Sequence, residues 1–290
     1  IRVLRHALGQ NRPERDLLLT PWHTVLHDGR FVPVRMLVNG CSIFYDHSIA
    51  GYDYTVLQTE THAVLVAEGV PTEFCLAQEP GRMGAWAGGV VRLGRAPAQG
   101  WEKEALPQPL RERTALAAIF ARLRARASDV PGSRPLESAP ELSMDPELQL
   151  VTDRGQRVRL LRRDGDRCFY MLPAGVEKVF LTSRTSQPSV VIGPYVEDRR
   201  TLGVAVGGIT LFSGGRHVAQ TRHLKAEGAT WSGWHAVEAC GASRWTTGYA
   251  ELPLKGMKEG QMGLLTIQVH AAGPFVATRA LGAQTDKLRA

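Results

Sequence analysis

Only one stretch of this 290-residue chain repeats its apolar residues with a helical period; elsewhere turn pairs cut the apolar runs short. Leu116, Ile119, Phe120 and Leu123 stand at i, i+3, i+4 and i+7, which predicts a single helix over about residues 110–127. Arg122, Arg124 and Arg126 crowd its last turns, where cations suit the unpaired carbonyls. On either side the punctuation is that of hairpins. Asp28-Gly29 parts Thr24-Val25-Leu26 from Phe31-Val32-Pro33-Val34, and Asn39-Gly40 and Glu68-Gly69 mark further turns. The chain must therefore be mainly β.

Three regions follow. Residues 1–80 read as a β unit of short strands, with runs at 1–5, 17–19, 24–26, 31–34, 54–57 and 63–66. Residues 81–140 form a connector: a Gly- and Pro-rich stretch, the helix, and a Ser- and Pro-rich linker from 128. From 141 to 290 short strands return between Gly-rich turns, and Leu265, Ile267 and Val269 alternate with Thr266, Gln268 and His270. That pattern predicts a C-terminal β-sandwich, jelly-roll-like in type.

Composition removes several function classes. With 43% apolar and 22% charged residues the chain is neither disordered nor collagen-like. No apolar run approaches the ~18–20 residues that cross a bilayer, so no membrane span is expected. The net charge is +7, and eight bases against three acids lie between Arg92 and Arg126. A surplus so local, without aromatic interleaving, speaks against nucleic acid as a partner. Cys41, Cys75, Cys168 and Cys240 stand far apart, which excludes zinc-finger spacing and leaves disulfide pairing open.

The chemistry-bearing stretch is Arg15-Asp16-Leu17-Leu18-Leu19-Thr20-Pro21-Trp22-His23, with Thr-x-x-His closing an apolar strand. Downstream come Thr59-Glu60-Thr61-His62-Ala63-Val64-Leu65-Val66 and then Glu68-Gly69-Val70. Alone each is a weak pattern; in this order, within a turn-rich β unit, the pair is far more specific. Together they resemble the second half of a Hint domain, the self-processing module of hedgehog proteins and inteins. Thr20 and His23 match its Thr-x-x-His block, and His62 to Val70 match its C-terminal block. The wording looks closest to bacterial Hint proteins, and the resemblance covers residues 1 to about 80.

What the resemblance implies is amide cleavage. A Cys or Ser opening the module attacks the carbonyl before it and turns a peptide bond into a thioester or ester. An amide nitrogen leaves only if protonated, a task for a histidine; a threonine hydroxyl can hold the scissile amide in place. Thr20, His23 and, in support, His62 are the expected site residues. Only 19 residues precede Thr20, so the nucleophile is expected upstream of Ile1, in an N-terminal segment that this chain would need as its partner. Cys41 and Cys75 follow the block and stand in the wrong place. Inteins end in His-Asn, whereas this region ends Val70-Pro71-Thr72-Glu73-Phe74. Hedgehog-like cleavage on the N-terminal side is thus expected rather than splicing, and the chain by itself is expected to be inactive. The resemblance further implies a secreted or cell-surface protein.

Other patterns carry less. His23 and His27 have the i, i+4 spacing of a helical metal pair, but Asp28-Gly29 makes the segment a strand and turn, and no third ligand presents itself. No metal and no cofactor is expected. Trp231, Trp234 and Tyr249 could form a stacking platform for sugars, although core packing is the commoner use of such rings. They supply the alternative function: a non-catalytic surface module whose sandwich recognises a glycan or a protein.

Overall fold

In the computed structural model the described residues are 1–51, 64–73, 110–136, 138–225, 231–239 and 241–277. The chain divides into two compact units. The first spans Ile1–Ser138 together with Gly193–Glu197; the second takes Ala139–Ile192 and Asp198–Ala290. The protein is mainly β and all of its strand pairs are antiparallel among the described residues.

In the first unit β1 (Arg2–Val3) lies between β2 (Leu17–Leu18) and, on its other side, β5 (Ile43–Phe44). A second sheet joins β3 (Thr24–His27), β4 (Arg30–Pro33), β6 (Val64–Ala67) and β7 (Val70–Glu73) in the order β4-β3-β7-β6. Its two hairpins turn where two-residue turns of positive φ are easiest. Asp28 and Gly29 have φ of 51° and 73°, and Glu68 and Gly69 have 49° and 74°. That is the twist a tight hairpin needs and the reason glycine takes the second place. At Asn39-Gly40 the Asn39 side chain accepts the N–H groups of Cys41, Ser42 and Ile43, which closes the turn into β5. The strand expected at 54–57 and the Gly/Pro-rich stretch before the helix lie outside the described residues.

The helix α1 spans Arg113–Arg126 and buries Leu116, Ile119 and Leu123, the stripe read from the sequence. These side chains join Val3, Val25, Val32, Leu37 and Ile43 in one core. Phe120, the fourth stripe residue, is half-buried and packs on Tyr195 with ring centroids 5.4 Å apart. Two arginines of its last turns reach into the β unit. Arg122 donates to the Asp28 carboxylate at the β3–β4 turn, and Arg126 Nε donates to the His6 carbonyl at 3.0 Å.

The second unit is a sandwich of two antiparallel sheets around one core. One sheet holds β9 (Gln149–Thr152), β10 (Arg157–Val158), β13 (Lys178–Thr182) and β17 (Tyr249–Pro253). The other holds β11 (Leu160–Asp164), β12 (Arg167–Leu172), β18 (Gly263–Ala272), β14 (Val204–Ser213) and β15 (Arg216–Ala219) in that order, with β16 (Arg244–Trp245) beside β14. A short pair, β8 (Leu142–Ser143) with β19 (Phe275–Val276), completes the strands, and one turn of helix, α2, spans Pro188–Val191. The alternation in β18 is observed: Leu265, Ile267 and Val269 face inward to meet Leu150, Val179, Leu181 and Leu252 of the facing sheet. Tyr170 is fully buried among them, and its hydroxyl donates to the Leu148 carbonyl at 2.9 Å. No helix among the described residues is long and apolar enough to cross a membrane.

Candidate functional site

Strand β2 lies within the run Leu17-Leu18-Leu19, and the four residues after that run form a tight turn. The His23 N–H donates to the Thr20 carbonyl at 3.2 Å, closing Thr20-Pro21-Trp22-His23. Pro21 stands at the second position, where its fixed φ pre-sets such a turn. The His23 carbonyl then accepts the Val34 N–H at 2.8 Å, extending the β3–β4 ladder by one bond. The turn therefore anchors at both ends and brings its first and last side chains together.

Thr20 Oγ1 lies 2.7 Å from His23 Nδ1, and the Thr20 N–H donates to the same nitrogen at 3.2 Å. A backbone N–H can only donate, so Nδ1 accepts; in the neutral ring the proton then sits on Nε2. Burial lowers the His23 pKa below the ordinary histidine value, and the N–H donated to Nδ1 favours the same uncharged form. At neutral pH the ring is an uncharged base whose orientation is fixed by its neighbour. Among the described residues Nε2 has no hydrogen-bond partner, and the ring is half-buried rather than packed in the core.

Neighbouring groups hold the turn from outside. The Arg35 guanidinium lies 4.3 Å from the ring centroid of the exposed Trp22, and Arg35 pairs with Glu197 at 2.8 Å. Thr24, one residue past His23, donates its hydroxyl to Glu73 Oε2 at 2.7 Å, and the Glu73 carboxylate is buried. Glu73 is the site neighbour that sequence reasoning missed. In the sequence it stands only as part of a region ending without Asn, although an acid inside a strand otherwise made of Val, Pro and Thr is the signal of a buried, bonded carboxylate.

Of the three expected site residues the structure brings Thr20 and His23 together. His62 lies outside the described residues, as do Cys75 and Cys240. His27 points to a different group: its Nε2 accepts from Arg122 at 3.1 Å, and burial lowers its pKa despite Asp28 alongside. The i, i+4 pair is thus divided between two hydrogen-bond systems, and no group of three potential metal ligands exists among the described residues.

Of the three rings that could make a sugar platform, one is buried, one half-buried and one exposed. Trp234 is buried and donates Nε1 to the Glu251 carbonyl at 2.7 Å, and Trp231 is half-buried against the same core. Tyr249 alone of the three is exposed, stacked on Phe180 at 5.0 Å. The indole N–H needs a partner when buried, and a strand carbonyl supplies it; that fixes Trp234 as a core residue.

Comparison with protein families matches the Hint domain to residues 1–79. No curated protein and no solved structure matches the chain.

Proposed function

We propose that the Hint domain matched at residues 1–79 works as a self-cleaving module of the hedgehog type, with Thr20 and His23 moving the proton that lets an amide nitrogen leave. The observation that carries this reading is the 2.7 Å contact between Thr20 Oγ1 and His23 Nδ1. In this reading a thiol or hydroxyl from a segment upstream of Ile1 attacks the carbonyl of the scissile bond. The new S–C or O–C bond forms as the C–N bond breaks. The proton lost by the nucleophile passes to the Thr20 oxygen as the Thr20 proton passes to Nδ1. Running the same relay backwards protonates the departing nitrogen, which leaves as an amine. Water or a second nucleophile then resolves the thioester or ester and frees the attacking group. A neutral, half-buried imidazole suits such a shuttle because it is a base before attack and an acid after it. Secretion or surface attachment, and a bacterial source, follow from the family resemblance and belong to this proposal.

The test is a form of the protein extended upstream of Ile1 through the nucleophile. It should cleave itself at the start of the module, and hydroxylamine, which intercepts thioesters and esters, should accelerate cleavage. An extended form with an intact Cys or Ser that never cleaves, with or without hydroxylamine, would remove the reading.

A further inference from the structure

Five residues of the first unit come from far along the chain. Gly193–Glu197 stand in sequence between α2 and β14, yet they belong with Ile1–Ser138. The segment is a turn closed by the Val196 N–H, which donates to the Gly193 carbonyl at 3.0 Å. A Cβ at Gly193 would overlap the Tyr195 ring, so glycine leaves the ring its place. Tyr195 packs against the apolar core of the unit, with its ring beside Phe120 of α1. A large ring seated in this way fixes the residues next to it. Glu197, two residues on, meets Arg35 at 2.8 Å.

Arg35 backs the Thr20–His23 turn. It lies in a single 3-10 turn, Val34–Met36, directly after β4. Its N–H donates to the Pro21 carbonyl at 3.4 Å, beside the bond from the Val34 N–H to the His23 carbonyl. Its guanidinium covers the ring of Trp22, the third residue of the turn. The Arg35 side chain is 15% exposed and that of Glu197 65% exposed. A carboxylate so open to water adds little to stability. It can still choose a rotamer. An arginine has many, and a cation–π contact on an exposed ring is weaker than the entropy of freezing them. The charge-assisted bond from Glu197 supplies what the ring lacks and keeps Arg35 over Trp22.

We propose that Glu197 is a positioning residue for the Thr20–His23 pair, acting through Arg35 and Trp22. This inference rests on the function proposed above. Without the carboxylate Arg35 leaves the ring for solvent, and the turn loses its outer support at Trp22. The 2.7 Å contact between Thr20 Oγ1 and His23 Nδ1 spans that turn and loosens with it. The proton relay needs this contact, and small displacements of a positioned group cost rate. The site then reaches full activity only after the chain has been made through residue 197 and the segment 193–197 has taken its place in the first unit.

The experiment has two arms. In the protein extended upstream of Ile1, Glu197→Ala should slow self-cleavage about tenfold. Glu197→Gln, which keeps an acceptor oxygen, should recover part of the rate. Arg35→Met should slow cleavage by a similar factor, and adding Glu197→Ala to it should slow it no further. Glu141→Ala, which removes the same charge from an exposed position of the second unit, should have no effect. The other arm needs no cleavage. It follows the ring-nitrogen NMR shifts of His23 in the 290-residue protein, assigned with His23→Gln. The wild type should show Nε2 protonated and Nδ1 bare, and Glu197→Ala should draw the two shifts together as the tautomers mix. The melting temperature of Glu197→Ala should stay that of the wild type. His23 signals unmoved by Glu197→Ala would overturn the proposal, as would equal slowing by Glu197→Ala with and without Arg35. An extended protein that never cleaves would remove the proposed function instead, and the NMR arm would still decide the role of Glu197.

Discussion

Thr24 donates its hydroxyl to the buried carboxylate of Glu73 at 2.7 Å, and this bond ties β3 to β7 one residue beyond His23. The two residues are also Cα partners across the ladder, so the side-chain bond adds to a register already set by the backbone. The position of the imidazole is thereby coupled to the far hairpin. Replacing Glu73 by Leu leaves the Thr24 hydroxyl without its acceptor inside the unit. It should cost about 1–3 kcal/mol of stability, whereas Thr24→Val with Glu73→Leu should cost less than the single change. Chemical denaturation of the two variants checks the difference.

Stability should depend on pH through three histidines, two half-buried and one, His223, fully buried. Burial lowers the pKa of His23, His27 and His223 in the folded protein below the ordinary value. Between that folded pKa and the unfolded value of about 6.5 the unfolded chain binds more protons, so stability rises with pH there. The contribution is fully present above about pH 6.5 and is lost as the pH falls through the folded pKa. His23→Gln should make the melting temperature of the first unit less sensitive to acid than in the wild type, read by thermal scans across that window.

Gly233 has φ of 80°, and a Cβ placed there would overlap the Tyr249 carbonyl oxygen of the neighbouring strand. Both the backbone conformation and the close approach demand glycine. Gly233→Ala should destabilise the sandwich by more than the ~1 kcal/mol of an ordinary backbone mismatch, with the loss read from urea unfolding.

Leu181 is 1% exposed at the centre of the shared core, between the two sheets. Leu181→Ala should cost about 2–5 kcal/mol, the usual range for a fully buried leucine that leaves a cavity. Calorimetry should show this cost in the transition of the second unit.

Much of the fold could be read along the chain because its signals are local. Asp28-Gly29 announces a hairpin through the φ values those two residues tolerate, and the 116–119–123 spacing announces a buried helix stripe. Thr20 and His23 were legible for the same reason: three residues with Pro21 between them allow few geometries other than a turn. What could not be read depends on residues far apart. Arg122 resembled a cation placed for the helix end, yet it binds Asp28, 94 positions away. Trp234 resembles its neighbours Trp231 and Tyr249 in the sequence, and the distant groups that bury it, the Glu251 carbonyl and the His223 ring, distinguish it. The rung that Met171, Leu264, Phe212 and His217 form across the larger sheet is drawn from four strands whose order no local pattern encodes.

The central claim is that the Thr20–His23 pair carries the proton in self-cleavage. The most direct measurement is the cleavage rate of the upstream-extended protein and its variants, followed by gel and mass spectrometry. His23→Ala should slow cleavage by about 10²–10⁴, the worth of a positioned acid–base group. Thr20→Ala breaks the same relay and should cost a comparable factor, and Thr20→Ser, which keeps the hydroxyl, should recover most of the rate. Cleavage at the full rate by the His23→Ala protein would contradict the account.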